Sequence, residues 1–165
     1  MFADTLQTTK KPRTAWKQCG RQKSQGNPPL STHQKDRLEK IEQIIAKLVE
    51  TAAKGKPIVV EGRKDAEALE QLGIKGTVFS VKTAGKSFLE ATAEIEASGA
   101  DEVILLLDFD RRGKEGMKRL QQDLERGKIK VNVRFWLELK GLVGHEVQCI
   151  ESLPSYLATA QQKTG

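Results

Sequence analysis

The sequence predicts an α/β fold: a mostly parallel four-stranded sheet with helices on both faces, preceded by an amphipathic helix and a disordered basic tail. Three observations predict it. From Pro57 onward, short apolar runs alternate with helix-length segments, most of them closed by a glycine. Between Asp36 and Lys54, apolar residues instead recur at three- and four-residue spacing. Residues 1 to about 32 hold few large apolar side chains, and Gly20, Gly26 and Asn27-Pro28-Pro29 would break a helix there.

Each element follows from local pattern. The tail is assigned to 1–32, with Trp16 as an apolar anchor that could order on a partner. Residues 33–55 form the amphipathic helix, its stripe made of Leu38, Ile41, Ile44, Ile45, Leu48, Val49 and Ala52. Ser31, Thr32 or Asp36 can cap its start, and Gly55 with Pro57 ends it. Its stripe is expected to cover one side of the sheet, or else to pack on a second copy; oligomeric state is left open. Residues 56–160 then form the main domain. Ile58-Val59-Val60 is the first strand, and Lys64 to Leu72 a short helix ended by Gly73. Thr77 to Val81 and Lys86 to Ser98 are the next strand and helix, ended by Gly99. Glu102 to Leu107 is the third strand, followed by a helix from Gly113 to about Arg126 that Gly127 closes. Val131 to Phe135 is the fourth strand, and helical segments at Leu137 to Leu142 and Glu151 to Ala160 finish the chain. Strands joined by helices of this length imply right-handed crossovers and a parallel sheet.

Composition narrows the function. Hydrophobic residues make up 38% and charged residues 30% of the 165. The longest apolar run, Val103 to Leu107, suits a buried strand and falls far short of the roughly 20 residues a membrane span needs. Met1 to Leu30 is polar and basic rather than secretory, so a cytoplasmic protein is expected. Cys19 and Cys149 stand far apart with no C-x-x-C pairing, which argues for free thiols rather than a disulfide framework or zinc site. Of the net charge of +6, five units lie in residues 1–30, where Lys10, Lys11, Arg13, Lys17, Arg21 and Lys23 face Asp4 alone. Such a basic arm suits phosphate contact, or docking on another protein.

The chemistry should sit at the carboxyl ends of the strands, where open α/β sheets bind ligands. Two strands end in acid there. The first runs into Glu61-Gly62 and the third into Asp108-Phe109-Asp110. Gly62 falls where a tight strand-to-helix turn would favour a residue without a β-carbon. If the two strands are neighbours, Glu61, Asp108 and Asp110 converge, and three carboxylates in one place call for a cation or a proton. Oxygen ligands with no Cys or His nearby favour magnesium, with manganese as its substitute, over zinc. Arg63 and Lys64 follow the glutamate, while Arg111, Arg112 and Lys114 follow the aspartates. Carboxylates for a metal beside cations for an anion fit a phosphodiester. Either motif alone would more often be a helix cap; the pair is the signal.

These residues carry a resemblance. Ile58-Val59-Val60-Glu61-Gly62-Arg63-Lys64-Asp65 is similar to the Toprim glutamate motif, a strand followed by E-G-x-x-D. Val103 to Gly113, reading VILLLDFDRRG, resembles its partner, a strand followed by D-x-D-x-x-G. The resemblance spans residues 56 to 136 and implies the Rossmann-like Toprim fold. It points to small stand-alone Toprim proteins of archaea and bacteria, akin to the ribonuclease that matures 5S ribosomal RNA and to the primase Toprim domain. It implies Glu61 as general acid/base, Asp108 and Asp110 as the magnesium pair, Asp65 as a further acid, and Gly113 as the glycine opening the third helix of the domain. RNA is slightly favoured over DNA, and no membrane is implied. The lone Tyr156 is not placed as a topoisomerase nucleophile.

Three functions compete. The leading one is a magnesium-dependent nuclease or nucleotidyl-transfer enzyme acting on RNA or DNA, for example in RNA processing. The second is a non-catalytic RNA- or ribonucleoprotein-binding module that docks through the basic tail. An aspartyl phosphatase is disfavoured, since its D-x-D follows the first strand and is followed by Thr or Val rather than Arg111. Gly85-Lys86-Ser87 lacks the earlier glycine of a phosphate-binding loop, position 80 being Ser80. His33 and His145 offer no metal-ligand spacing, and Phe135 and Trp136 read as core or as part of a C-terminal lid.

Overall fold

A computed structural model describes residues 30–82 and 85–164; the proposed tail, with Trp16 and Cys19, lies outside them. The chain folds as α1 (Thr32–Ala53), β1 (Ile58–Val60), α2 (Arg63–Gln71), β2 (Val78–Ser80), α3 (Phe88–Ala97), β3 (Glu102–Leu106), α4 (Arg111–Arg126), β4 (Lys130–Asn132), α5 (Arg134–Val143), a 3-10 turn (Ile150–Ser152) and α6 (Leu153–Thr164). All strand pairs are parallel and the order is β2-β1-β3-β4.

That order positions the site. Passing from β1 to β2 moves one way across the sheet, and passing from β2 to β3 and on to β4 moves the other way. Right-handed crossovers therefore put α2 on one face and α3 with α4 on the other. Helices α3 and α4 pack together, while α2 contacts α6, which lies with α1. The direction of winding reverses between β1 and β3, the crevice where doubly wound sheets bind ligands.

Burial explains the local order. Val59, Val60 and Val103 to Leu106 are almost fully inaccessible, as strands covered on both faces must be. Helix α1 starts where the Ser31 hydroxyl accepts from the Gln34 amide and the Gln34 side-chain oxygen accepts from the Ser31 amide, a reciprocal cap. Its buried stripe is Leu38, Ile41, Ile44, Ile45, Leu48 and Ala52, and it packs chiefly against α5 and α6 of the same chain rather than lying directly on the strands. The fourth strand ends at Asn132, three residues earlier than its apolar pattern suggests. The Asn132 side chain accepts from the Arg134 amide and turns the backbone into α5, so Phe135 and Trp136 belong to a helix. Both are buried, and the Trp136 indole donates to the Leu107 carbonyl at 2.9 Å. Cys149 is a free thiol, and His33 and His145 are exposed.

Candidate functional site

Glu61 follows β1 and Asp108 follows the extended run that continues β3 past Leu106. Because Val60 pairs with Leu106 in register, the two acids leave the sheet side by side. The Asp108 amide donates to Glu61 Oε2 at 3.4 Å. Glu61 is mostly covered, with 12% of its side chain exposed, and forms an ion pair with Lys82 just beyond β2. Three strand ends thus contribute to one edge.

Asp108 is the electrostatic centre. Its Oδ1 is buried and has no hydrogen-bond partner. Burial, then the charges of Asp65 and Glu61, push its carboxyl up to about 7, with Asp110 contributing in the same direction. Asp110 is more exposed, and its Oδ1 accepts from the Gly113 amide at 2.7 Å and caps α4. Gly113 is required by close approach, since a β-carbon there would stand 2.0 Å from the Asp108 carbonyl oxygen. Gly62 is a different case and corrects the expected turn. Its φ of −142° is ordinary extended backbone, and a β-carbon would meet only Asp65 Oδ2 at 3.8 Å.

Asp65 is buried and bonded on both oxygens. It accepts from the Gly62 amide at 3.0 Å and from the Glu151 amide at 3.0 Å, which ties α2 to the 3-10 turn. Burial pushes its carboxyl up even against these two bonds. The C-terminal segment grips the other acidic loop as well, for the Phe109 amide donates to the Gln148 carbonyl at 2.8 Å. Phe109 is buried against Trp136, with ring centroids 6.0 Å apart. One short stretch, Gln148 to Glu151, therefore fixes both motifs through backbone groups.

Arg63, Lys64, Arg111, Arg112 and Lys114 are all exposed at the starts of α2 and α4. Arg63 pairs with Glu67 and Arg111 with Glu115 along their own helices. Lys86 pairs with Glu94 at 2.7 Å, and Ser87 caps α3, so the Gly85-Lys86-Ser87 stretch is spent on starting a helix. Sequence reasoning missed Lys82 and the Gln148–Glu151 clamp. Lys82 was findable as a cation at a third strand end. The clamp was not, because it acts through backbone amides and a carbonyl.

A Toprim domain model matches residues 55–134. A UPF0292 protein of Methanocaldococcus jannaschii is 39% identical over 120 residues, covering 73% of this chain and 91% of that one. Another, from Methanosarcina acetivorans, is 34% identical over 129 residues, covering 78% and 88%. The chain belongs to the UPF0292 family of small Toprim proteins. A solved protein structure from Aquifex aeolicus matches with a TM-score of 0.56 and 25% identity, over 67% of this chain and 94% of its own.

Whether this Toprim site suits a metal can be judged from its donors. Among the described residues, no group of three or more His, Cys, Asp or Glu side chains is disposed to hold an ion. Glu61 is bonded to Lys82, and one oxygen of Asp110 caps a helix. Yet Asp108 keeps a buried oxygen with no partner, beside three further carboxylates. Magnesium is commonly held by one or two carboxylates, with waters and substrate phosphates completing its shell. The donors present are compatible with that mode of binding: Asp108 would offer its unbonded oxygen, with Glu61 and Asp110 beside it. Among the described residues, no helix is long and apolar enough to cross a membrane.

Proposed function

We propose that this Toprim protein is a magnesium-dependent phosphodiester enzyme that cleaves, or transfers nucleotidyl groups on, structured RNA or DNA. The observation that carries this reading is the meeting of Glu61 and Asp108 at the switch point of the sheet, with Asp108 Oδ1 buried and unbonded. Magnesium, or manganese in its place, would offset the charge that develops on the phosphate. Glu61 is the general acid/base, and Lys82 holds its carboxylate at the mouth of the crevice. Asp65 keeps α2 and the C-terminal segment in register around the pair. Arg63, Lys64, Arg111, Arg112 and Lys114 hold the phosphate backbone. The basic residues of the tail, with Trp16, add a docking arm. RNA is placed ahead of DNA on the likeness of the chain's motifs to those of small Toprim ribonucleases.

The test uses the purified full chain with end-labelled structured RNA, single-stranded RNA and duplex DNA, in magnesium, manganese or chelator. Glu61→Gln and Asp108→Asn are run alongside. Metal-dependent cleavage should fall at least about a hundredfold in each variant. Undiminished turnover in Glu61→Gln would remove its assigned role. A second reading, a non-catalytic RNA- or ribonucleoprotein-binding module, draws support from Lys82, which already supplies Glu61 with a counter-charge. Tight, salt-sensitive binding without cleavage under any metal would favour it.

A further inference from the structure

Helix α4 begins at the acidic site, because Asp110 caps it. Its buried side is Gly113, Gly116, Met117, Leu120 and Leu124. The opposite side of the first turns carries Arg111, Arg112, Lys114, Lys118 and Arg119, all exposed, with Glu115 the acid among them. Arg111 is paired with Glu115, but Arg112, Lys114, Lys118 and Arg119 enter no ion pair among the described residues. The second half of the helix changes character: Asp123 and Glu125 appear, and Arg126 pairs with Asp123. The unopposed charge is thus confined to the end nearest the acids.

Arg119 is held rather than loose. Its guanidinium lies over the Phe88 ring, 5.6 Å from the centroid, and that ring packs against the same helix at Gly116. Stacking on an aromatic face leaves the guanidinium edge free to donate to an anion while limiting its rotamers. Arg112 lies seven residues earlier, two turns away on the same flank. From Arg111 to Arg119 the ridge runs about 12 Å, against one phosphate per about 3.4 Å of axis in each strand of a duplex.

We propose that the outer face of α4, with Lys118 and Arg119 as its far end, is a track for the phosphate backbone of a nucleic acid whose reactive phosphate lies at Glu61 and Asp108. The assignment rests on the phosphodiester reading above and extends it, giving the strand a direction away from the site along α4. Phe88 serves as the platform that presets Arg119. Contacts of this kind bind backbone without reading sequence.

The experiment measures binding of the full chain to a short fluorescein-labelled RNA hairpin by anisotropy across a salt series in chelator. A duplex DNA of equal length forms a parallel arm. The variants are Lys118→Ala/Arg119→Ala and, as a control, Lys54→Ala/Lys75→Ala, two exposed lysines at the amino-end edge of the sheet. Removing two phosphate contacts should make the slope of log Kd against log salt shallower by about one to two. The control pair should leave it unchanged. Phe88→Leu should weaken binding less than loss of Arg119 itself. If the wild type binds and the α4 pair binds with the same slope, the track is overturned while a nucleic-acid partner stands. If both double variants lose slope equally, binding is diffuse and the track is again overturned. If the wild type binds neither probe, the phosphodiester reading falls and the track falls with it.

Discussion

At Gly113 a β-carbon would stand 2.0 Å from the carbonyl oxygen of Asp108, so Gly113→Ala must push the start of α4 away from the acidic loop. The cost should be about 3 kcal/mol or more in urea unfolding, at the upper end of overpacking. Gly62→Ala should cost under about 1 kcal/mol, since its backbone is extended and its space open. Equal losses at the two sites would contradict this account. The sequence points to Gly62 through an expected tight turn and to Gly113 through the Toprim motif, and only Gly113 is required by its surroundings. A motif glycine can answer to a turn or to a neighbouring strand, and the chain alone does not distinguish a local φ from a contact across the fold. Asp110 shows the same limit: its place in D-x-D-x-x-G reads equally as a metal ligand and as the helix cap that its bond to Gly113 makes it.

Elements were legible where one physical signal ruled them. The α1 stripe, the β1 and β3 apolar runs and the glycine stops appear within a residue or two of their expected bounds. The fourth strand is shorter than its pattern, in which Val131, Val133 and Phe135 alternate as a strand should. A side-chain bond from Asn132 starts a helix in their midst. What periodicity could not show is how elements are tied to one another. Asp65 illustrates this, since its two bonds join the start of α2 to the 3-10 turn 86 residues on. Asp65→Ala leaves the Gly62 and Glu151 amides without their acceptor, which should cost about 2 kcal/mol or more. Amide exchange at Glu151 should accelerate further than the global loss of stability explains. Exchange there that merely tracks global unfolding would mean that the clamp closes without Asp65.

At the scale of the whole molecule, the sheet order places four carboxylates together where the winding reverses, and this should give stability a distinctive pH dependence. Asp108 is pushed up to about 7 by burial and by Asp65 and Glu61, and burial raises Asp65 as well. An unfolded aspartate titrates near about 3.9. Between those values the folded state retains a proton that the unfolded state has lost, so the unfolded state binds fewer protons and stability falls as pH rises. Below about 4 both states hold the proton and the effect vanishes; above about 7 both have lost it and the loss is complete. Two exposed acids work in the opposite sense near pH 4: Glu90, held low by its bonds to Ser87, and Asp101, held low by Lys56. Being in water, they contribute little. Lys82 offsets part of the repulsion through Glu61, and its removal should steepen the trend. In chelator, urea midpoints should therefore decline from about pH 4 to about pH 7 in the wild type and decline less in Asp108→Asn. Magnesium should raise stability at the upper end of that range, because a ligand stabilises the state that binds it and the ionised carboxylate is the form it binds. A wild type whose midpoints run parallel to those of Asp108→Asn across the range, with and without magnesium, would show that the carboxylates are too well solvated to repel and too weak to hold a cation.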